Sequence, residues 1–292
     1  MNFGQTLKKI RKNRALTQLA VCDGIMKQGT YSRIENGQLD ISAAHLARIV
    51  ERLNISLNEF LFIHQNYEAT PRQQLLNDYI HIEMVILSDI IEKREKVVRY
   101  LQTTQDVDIE TLLHSYDTLI ALEEKKDMSE VRAIAQQVWD RLQKLDHWYM
   151  TDLEILNATI MYFPFDTAVE IANTAIARID AYTHFEKDLT YLKLYFKLNL
   201  SYLYLEESRY AQCLQLLNQL QQLYNKLLTY QTLGFILSRK IICKYHLQQP
   251  YDDDFQKLQM LQQLFDDQAV FETLFQQINA HLTERNNEHD KH

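Results

Sequence analysis

The stretch "KQGTYSRIENGQ", Lys27 to Gln38, stands near the start of a 292-residue chain whose net charge is −8. Lysine, glutamine, threonine and arginine around a glycine suit a segment that lies against a polyanion, which an acidic protein does not need in general. The run reads as a helix from about Gln28 to Asn36, closed by Gly37, since glycine most readily takes the left-handed conformation past a helix end. Upstream, Thr17 is a good N-cap for a short helix that turns Leu19, Ala20 and Cys22 inward and ends at Gly24. Before it, Asn2 or Phe3 to about Asn13 forms a helix with Phe3, Leu7 and Ile10 on one face. Downstream, Ser42 caps "ISAAHLARIVERL" and Ser56 caps "SLNEFLFIH". Two short helices joined by a tight turn and packed by three others make a helix-turn-helix domain.

Charge is divided in the same way. Residues 1–66 hold nine Lys/Arg and five acids, a net of +4, so the remainder carries −12. A basic head on an acidic body suits a head that meets phosphate, although a charge run is equally a solvated helix face.

Other function classes find little support. No run of 18 apolar residues and no signal-peptide pattern is present, which predicts a cytoplasmic protein with no membrane partner. Cys22, Cys213 and Cys243 are odd in number and far apart, without CxxC or histidine neighbours; they read as buried small residues, with no disulfide and no metal site. No phosphate-binding glycine loop, HExxH or GxSxG occurs, so neither an enzyme nor a cofactor is expected.

Four of the five glycines fall in the first 37 residues, leaving only Gly234 beyond. The body therefore has few positions demanding positive φ, and its connections are expected to be short and helical. Apolar residues recur at helical spacing in "DLTYLKLYFKLNLSYLYL" and "AQCLQLLNQLQQLYNKLL", so the whole chain reads as all-α. Thr70 as N-cap with Pro71 at the first helical position opens the body. The expected division is a head over 1–66, a linker over 67–69, a helical-repeat body over 70–283 and a flexible tail over 284–292. Within the body Phe165-x-x-Ala168, Tyr210-x-x-Cys213 and Phe255-x-x-Leu258 each open a helix, successive aromatics lying 45 residues apart. "YLYLEESRYAQCLQLLNQL" reads much like a tetratricopeptide unit, and stacked pairs of this kind form a solenoid with a concave face.

The pattern "LKKIRKNRALTQLAV" followed by "YSRIENGQLDISAAHLARIVERLNISLNEFL" resembles the Cro/C1-repressor (XRE) class over roughly residues 3–63. In that class the third helix enters the major groove of double-stranded DNA. The resemblance implies that Gln28, Gly29, Thr30 and Ser32 face base edges or flanking phosphates, and that Lys27 and Arg33 contact phosphate. Ser32 stands where the class often uses it for structure, and Arg33 reads equally as a packing residue with its head in water. Glu35 resembles the acidic residue that pairs with an arginine of the first helix, here Arg11, as a structural pair.

An XRE head, "SLNEFLFIHQNY" at its end and "WDRLQKLDHWYMTDLEILNATIMYF" in the body together resemble the Rgg/MutR regulators of Gram-positive bacteria over essentially the whole chain. The resemblance implies a homodimer whose repeat domain binds a short, imported, hydrophobic signalling peptide on its concave face, as in quorum sensing. Some relatives carry a cross-linking cysteine in the stretch matching "DISAAHLAR"; Ala43 and Ala44 stand there, so redox control is not expected. Sliding the body by 45 residues aligns Met150, Tyr195 and Lys240, then Glu154, Asn199 and Lys244, then Asn157 and Tyr202, a candidate peptide-binding stripe. Asn157 and Asn199 can serve an extended backbone with donor and acceptor alike, while Tyr195 and Tyr202 read also as packing residues. The alternative is an XRE-type repressor whose body only oligomerises or meets a protein or small-molecule partner.

The +4 head makes DNA binding fall steeply with salt. Lys27→Ala or Arg33→Ala is expected to reduce the slope of log affinity against log salt by about one, and an unchanged slope would remove that residue from the interface.

Overall fold

The computed structural model describes residues 2–80, 82, 86–124, 126–185 and 188–289, the last six by backbone alone. Every regular element among the described residues is helical, and the chain divides into two compact units, Met1–Asn77 and Asp78–His292. That division falls inside the helix opening at Pro71.

The first unit holds α1 (Gly4–Asn13), α2 (Gln18–Cys22), α3 (Gln28–Glu35), α4 (Ala43–Arg52) and α5 (Leu57–His64), followed by the start of α6 (Pro71–Ile80). Local chemistry sets most of the ends. The hydroxyls of Thr17, Ser42 and Ser56 accept hydrogen bonds from the backbone N–H of Ala20, His45 and Glu59. Thr70 does the same for Gln73, whose side-chain oxygen accepts in return from Thr70, a reciprocal cap. α3 closes with Gly37 at φ 71°, the N–H of Gln38 reaching back to Arg33 and that of Gly37 to Ile34. Leu7, Val21, Tyr31, Ile49, Leu53 and Phe60 are fully buried between the helices. At Gly4 a Cβ would lie 2.0 Å from the Ile34 carbonyl oxygen, so only glycine lets the start of α1 rest on the end of α3.

The buried Glu35 carboxylate is held on three sides. Arg11 Nε donates to its Oε1 at 2.6 Å, Arg11 Nη2 to its Oε2 at 2.9 Å and Gln18 Nε2 to Oε2 at 2.8 Å. Arg11 also donates through Nη1 to the Leu16 carbonyl at 2.8 Å, so one side chain ties α1, the α1–α2 turn and α3 together.

The second unit comprises the end of α6, α7 (Leu87–Leu101), α8 (Val107–Glu123), α9 (Met128–Leu142), α10 (Met150–Thr159), α11 (Phe165–Asp180), α12 (Thr190–Glu206), α13 (Tyr210–Tyr224), α14 (Tyr230–His246), α15 (Asp252–Leu264) and α16 (Gln268–His289). The helical stretch thus continues to His289, into the segment expected as a tail; residues 290–292 lie outside the described ones. α8, α10, α12, α14 and α16 pack each on the next as one layer, and α9, α11 and α13 each bridge two successive members of it, with α15 against α14. The 45-residue pattern has a physical counterpart. Phe165, Tyr210 and Phe255 lie on α11, α13 and α15 and meet Tyr204 of α12 at 5.5 Å, His246 of α14 at 4.1 Å and Phe275 of α16 at 5.9 Å between ring centroids. The partners three residues on, Ala168, Cys213 and Leu258, are all 0% exposed. All three cysteines are buried and free.

Positive φ is rare in the body, as its scarcity of glycine suggests, and where it occurs among the described residues beyond residue 70 a polar residue adopts it: Ser208 at 54° and Gln248 at 56° close α12 and α14 in the left-handed conformation. Arg209 N–H to Tyr204 O at 2.8 Å and Gln249 N–H to Lys244 O at 2.8 Å complete the same closure that Gly37 makes in the head. The satisfied carbonyls offset a strain of about 1 kcal/mol at each polar residue.

Burial pushes the Glu35 carboxyl up, but the hydrogen bonds from Arg11 and Gln18 and the Arg11 charge outweigh it and hold its pKa below the ordinary 4.5. A carboxyl depressed by folding contributes stability that is present above its unfolded value and lost as pH falls through the folded one. Glu35→Gln is therefore expected to destabilise the head by about 3 kcal/mol at neutral pH and to flatten its loss of stability below about pH 4.5. Hydrogen exchange of α3 amides, corrected for intrinsic rates, reads both; identical pH profiles for the two proteins would exclude the pair as a stabilising element.

Candidate functional site

Two surfaces carry the expected residues. On α3, Tyr31, Ile34 and Glu35 face the core, while Lys27, Gln28, Gly29 and Arg33 are exposed and Thr30 and Ser32 are half-buried. All six expected DNA-facing residues are thus reachable from solvent, Gly29 and Arg33 on the side opposite the helix's buried face. Lys27 does not cap α3 with its side chain, and the backbone N–H groups of Gln28 and Gly29 have no partner among the described residues. A helix start of this kind presents donors and positive dipole charge to a phosphate. Gly29 is unlike Gly4: its φ is ordinary, and a Cβ there would meet nothing within 4 Å. A helical glycine costs about 1 kcal/mol against alanine. The fold gives no reason for it, whereas close approach of an external surface does.

The basic residues of the head separate by what they touch. Arg48 donates to Gly24 O at 2.8 Å and Arg52 to Ala20 O and Asp23 O at 3.4 and 3.3 Å, so both stabilise the end of α2. Arg14 reaches Asn54 O at 3.1 Å, and Arg11 belongs to Glu35 as expected. Lys8, Lys9 and Lys12 line a shallow depression of about 490 Å³ with Gln5 and Asn36, where Lys8 Nζ donates to Asn36 Oδ1 at 3.2 Å. Gln18 is the residue that sequence reasoning missed. It directly follows the cap Thr17, and its bond to Glu35 fixes α2 against α3.

In the body, Met150, Glu154 and Asn157 lie on α10, Tyr195, Asn199 and Tyr202 on α12, and Lys240 and Lys244 on α14. Asn199 Nδ2 donates to Asn157 O at 2.8 Å and Oδ1 at 3.3 Å, bringing the two amides together across adjacent first-layer helices. Met150, Glu154, Asn157, Asn199 and Tyr202 are half-buried, and Tyr195 is 39% exposed. Burial raises the pKa of the Tyr202 hydroxyl, with Glu206 adding to the effect. Lys240 and Lys244 are not joined to this stripe. Both pair with the buried Asp254 of α15, at 3.4 and 2.6 Å, and Lys240 also donates to Gln221 of α13 at 2.9 Å.

α10, α12 and α14 start at Met150, Thr190 and Tyr230, every 40 residues, whereas the aromatic pattern of the second layer repeats every 45, so a 45-residue slide does not keep the register of the first layer. The residue that does face α12 is Arg239. Its Nη1 donates to Leu198 O at 2.7 Å and Ser201 Oγ at 2.9 Å, and its guanidinium lies 5.4 Å from the Tyr202 ring centroid.

Residues 7–60 match the family described as "Helix-turn-helix", and residues 99–236 that described as "HTH-type transcriptional regulator Rgg, C-terminal domain". No curated protein matches the chain. Several solved structures share the fold. PlcR of Bacillus thuringiensis, in complex with the peptide PapR7 and DNA, is 19% identical with a TM-score of 0.69, over 94% of this chain and 98% of that one. The SHP pheromone receptor Rgg2 of Streptococcus dysgalactiae is 15% identical with a TM-score of 0.69, over 95% and 99%. ComR of S. thermophilus, in complex with DNA and its signalling peptide ComS, is 14% identical with a TM-score of 0.62, over 96% and 99%. With a helix-turn-helix match at its head and a match to the Rgg C-terminal domain behind it, the chain has the domain order of the Rgg transcriptional regulators.

Proposed function

We propose that this regulator acts as a cytoplasmic homodimer that binds double-stranded DNA through α3 and is switched by a short apolar signalling peptide held on α10, α12 and α14. The observation that carries the reading is the bonded pair Asn157–Asn199 on the accessible side of the first layer, within the part that matches the Rgg domain. Each amide orients the other, yet Asn157 keeps both its N–H donors and Asn199 one donor and its Oδ1. An extended peptide could therefore bond to amides already fixed in place, with Tyr195 and Tyr202 covering its apolar side chains. Among the described residues no helix is long and apolar enough to cross a membrane.

On DNA, Lys27, Arg33 and the open start of α3 supply phosphate contacts, Gln28 pairs with a base edge, and Gly29 lets the backbone come close. Arg11 and Glu35 remain structural. Two heads on a symmetric operator call for a two-fold protein, because one such head offers too little contact for tight specific binding. The peptide changes DNA binding only to the extent that it prefers one arrangement of the dimer over another.

Gln28→Ala is expected to cost about 1–3 kcal/mol at the cognate operator and almost nothing on random DNA. Equal loss on both, by fluorescence anisotropy, would make Gln28 a positioning residue.

For the body, labelled peptides from short reading frames beside the gene are titrated against the full-length protein, which is expected to sediment as a dimer. Binding should weaken about tenfold or more in Asn199→Ala. If none binds below about 10 μM, or the variant binds as well as wild type, the oligomerising repressor becomes the better account.

A further inference from the structure

Several half-buried cations of the body have carboxylate partners: Arg94 has Asp117, Arg141 has Asp108 and Asp152, and Lys240 and Lys244 share Asp254. Arg239, in the middle of α14, has none among the described residues. Its two hydrogen bonds both leave from Nη1 and both end on neutral oxygens, Leu198 O and Ser201 Oγ. A guanidinium has five N–H donors in a planar fork, so Nε and Nη2 are left without a protein acceptor. Neither of these nitrogens is among the sealed, partnerless polar atoms of the chain. The rings of Tyr202 and Phe235 flank the group, at 5.4 and 5.8 Å to their centroids, and keep its plane in place.

Burial lowers the pKa of this guanidinium; Cys213, then Tyr202 and Cys243, and last Glu206 oppose the shift, and Glu206 forms no ion pair with it. A buried cation is costly unless paired, and hydrogen bonds to neutral oxygens alone leave its charge uncompensated. The natural complement is a planar anion of matching width, which a carboxylate supplies through two parallel N–H···O bonds.

We propose that Arg239 is the receptor for a free carboxylate, the C-terminus of the peptide bound along Asn157 and Asn199. The inference rests on the peptide-receptor reading and adds a polarity to it: the chain end lies at α14 and the upstream backbone runs over α12 toward α10. It also explains why α14 carries a cation on its α12 side while the two lysines beside it are held by Asp254.

The test uses immobilised full-length protein and three synthetic libraries of short apolar peptides. One ends in a carboxylate, one in a carboxamide, and one is amidated but carries a single Asp or Glu. Wild type is expected to retain the acid library over the plain amide by roughly ten- to a hundredfold. Arg239→Gln should retain the two alike, and Arg239→Lys, which keeps the charge without the fork, should fall between. Thermal unfolding of each variant separates lost recognition from lost fold; if Arg239→Gln does not fold, the wild-type and Arg239→Lys ratios decide. Equal retention of acid and amide by wild type, or a ratio that Arg239→Gln leaves unchanged, overturns the proposal with peptide binding intact. Preference for the amidated Asp/Glu library would move the carboxylate to a side chain and overturn the C-terminal assignment. Retention of no peptide at all removes both this inference and the receptor reading beneath it.

Discussion

A first-layer helix of the body has to serve several neighbours at once. α12 packs on α10 and α14 within its layer and on α11 and α13 of the other, and it buries Leu194, Phe196, Leu198, Leu200, Ser201, Leu203 and Leu205 in doing so. Among the residues left reachable, Tyr191, Tyr195, Asn199 and Tyr202 line up as one strip, spaced at four, four and three residues. The constraint explains why the moment of such a helix is weak as an amphipathic signal: it is apolar nearly all round. It also means that a polar side chain on the strip has few competing duties. Polar groups elsewhere on these helices, such as Ser201 and Ser238, turn back onto carbonyls of their own helix.

The head obeys a different rule. Its helices are short, with α2 only five residues long, and helices of that size do not hold themselves. Arg11, Glu35 and Gln18 supply the rigidity that length would otherwise give, joining α1, α2 and α3 through one buried carboxylate. α3 can then expose an unrestrained polar face, because its position does not depend on anything that face touches.

What could be read from the sequence follows from how local each determinant is. The caps Thr17, Ser42 and Ser56 act within three residues, and all three are where the chain was expected to begin a helix. The pairing of Arg11 with Glu35 spans 24 residues and was reachable only through likeness to a class. Gln18 joins the same carboxylate and carried no pattern of its own. In the body, Phe165, Tyr210 and Phe255 were legible as a period because each does the same job against the following helix. Lys240 and Lys244 were misplaced by that same period, since the two layers repeat at different lengths and only the three-dimensional structure separates them. Ser208 and Gln248 stayed hidden because a left-handed residue other than glycine leaves no mark in composition.

The Asn157–Asn199 bond bears on how such a protein keeps its conversations private. On the proposed reading, a pair of amides that bonds to main chain is blind to sequence, and any extended oligomer would satisfy it about equally. Discrimination among the messages circulating in a mixed community would then rest on the pockets between tyrosines and on where the chain must stop. Receptors sharing this scaffold could diverge in dialect by altering those neighbours alone, keeping the amide pair as common grammar.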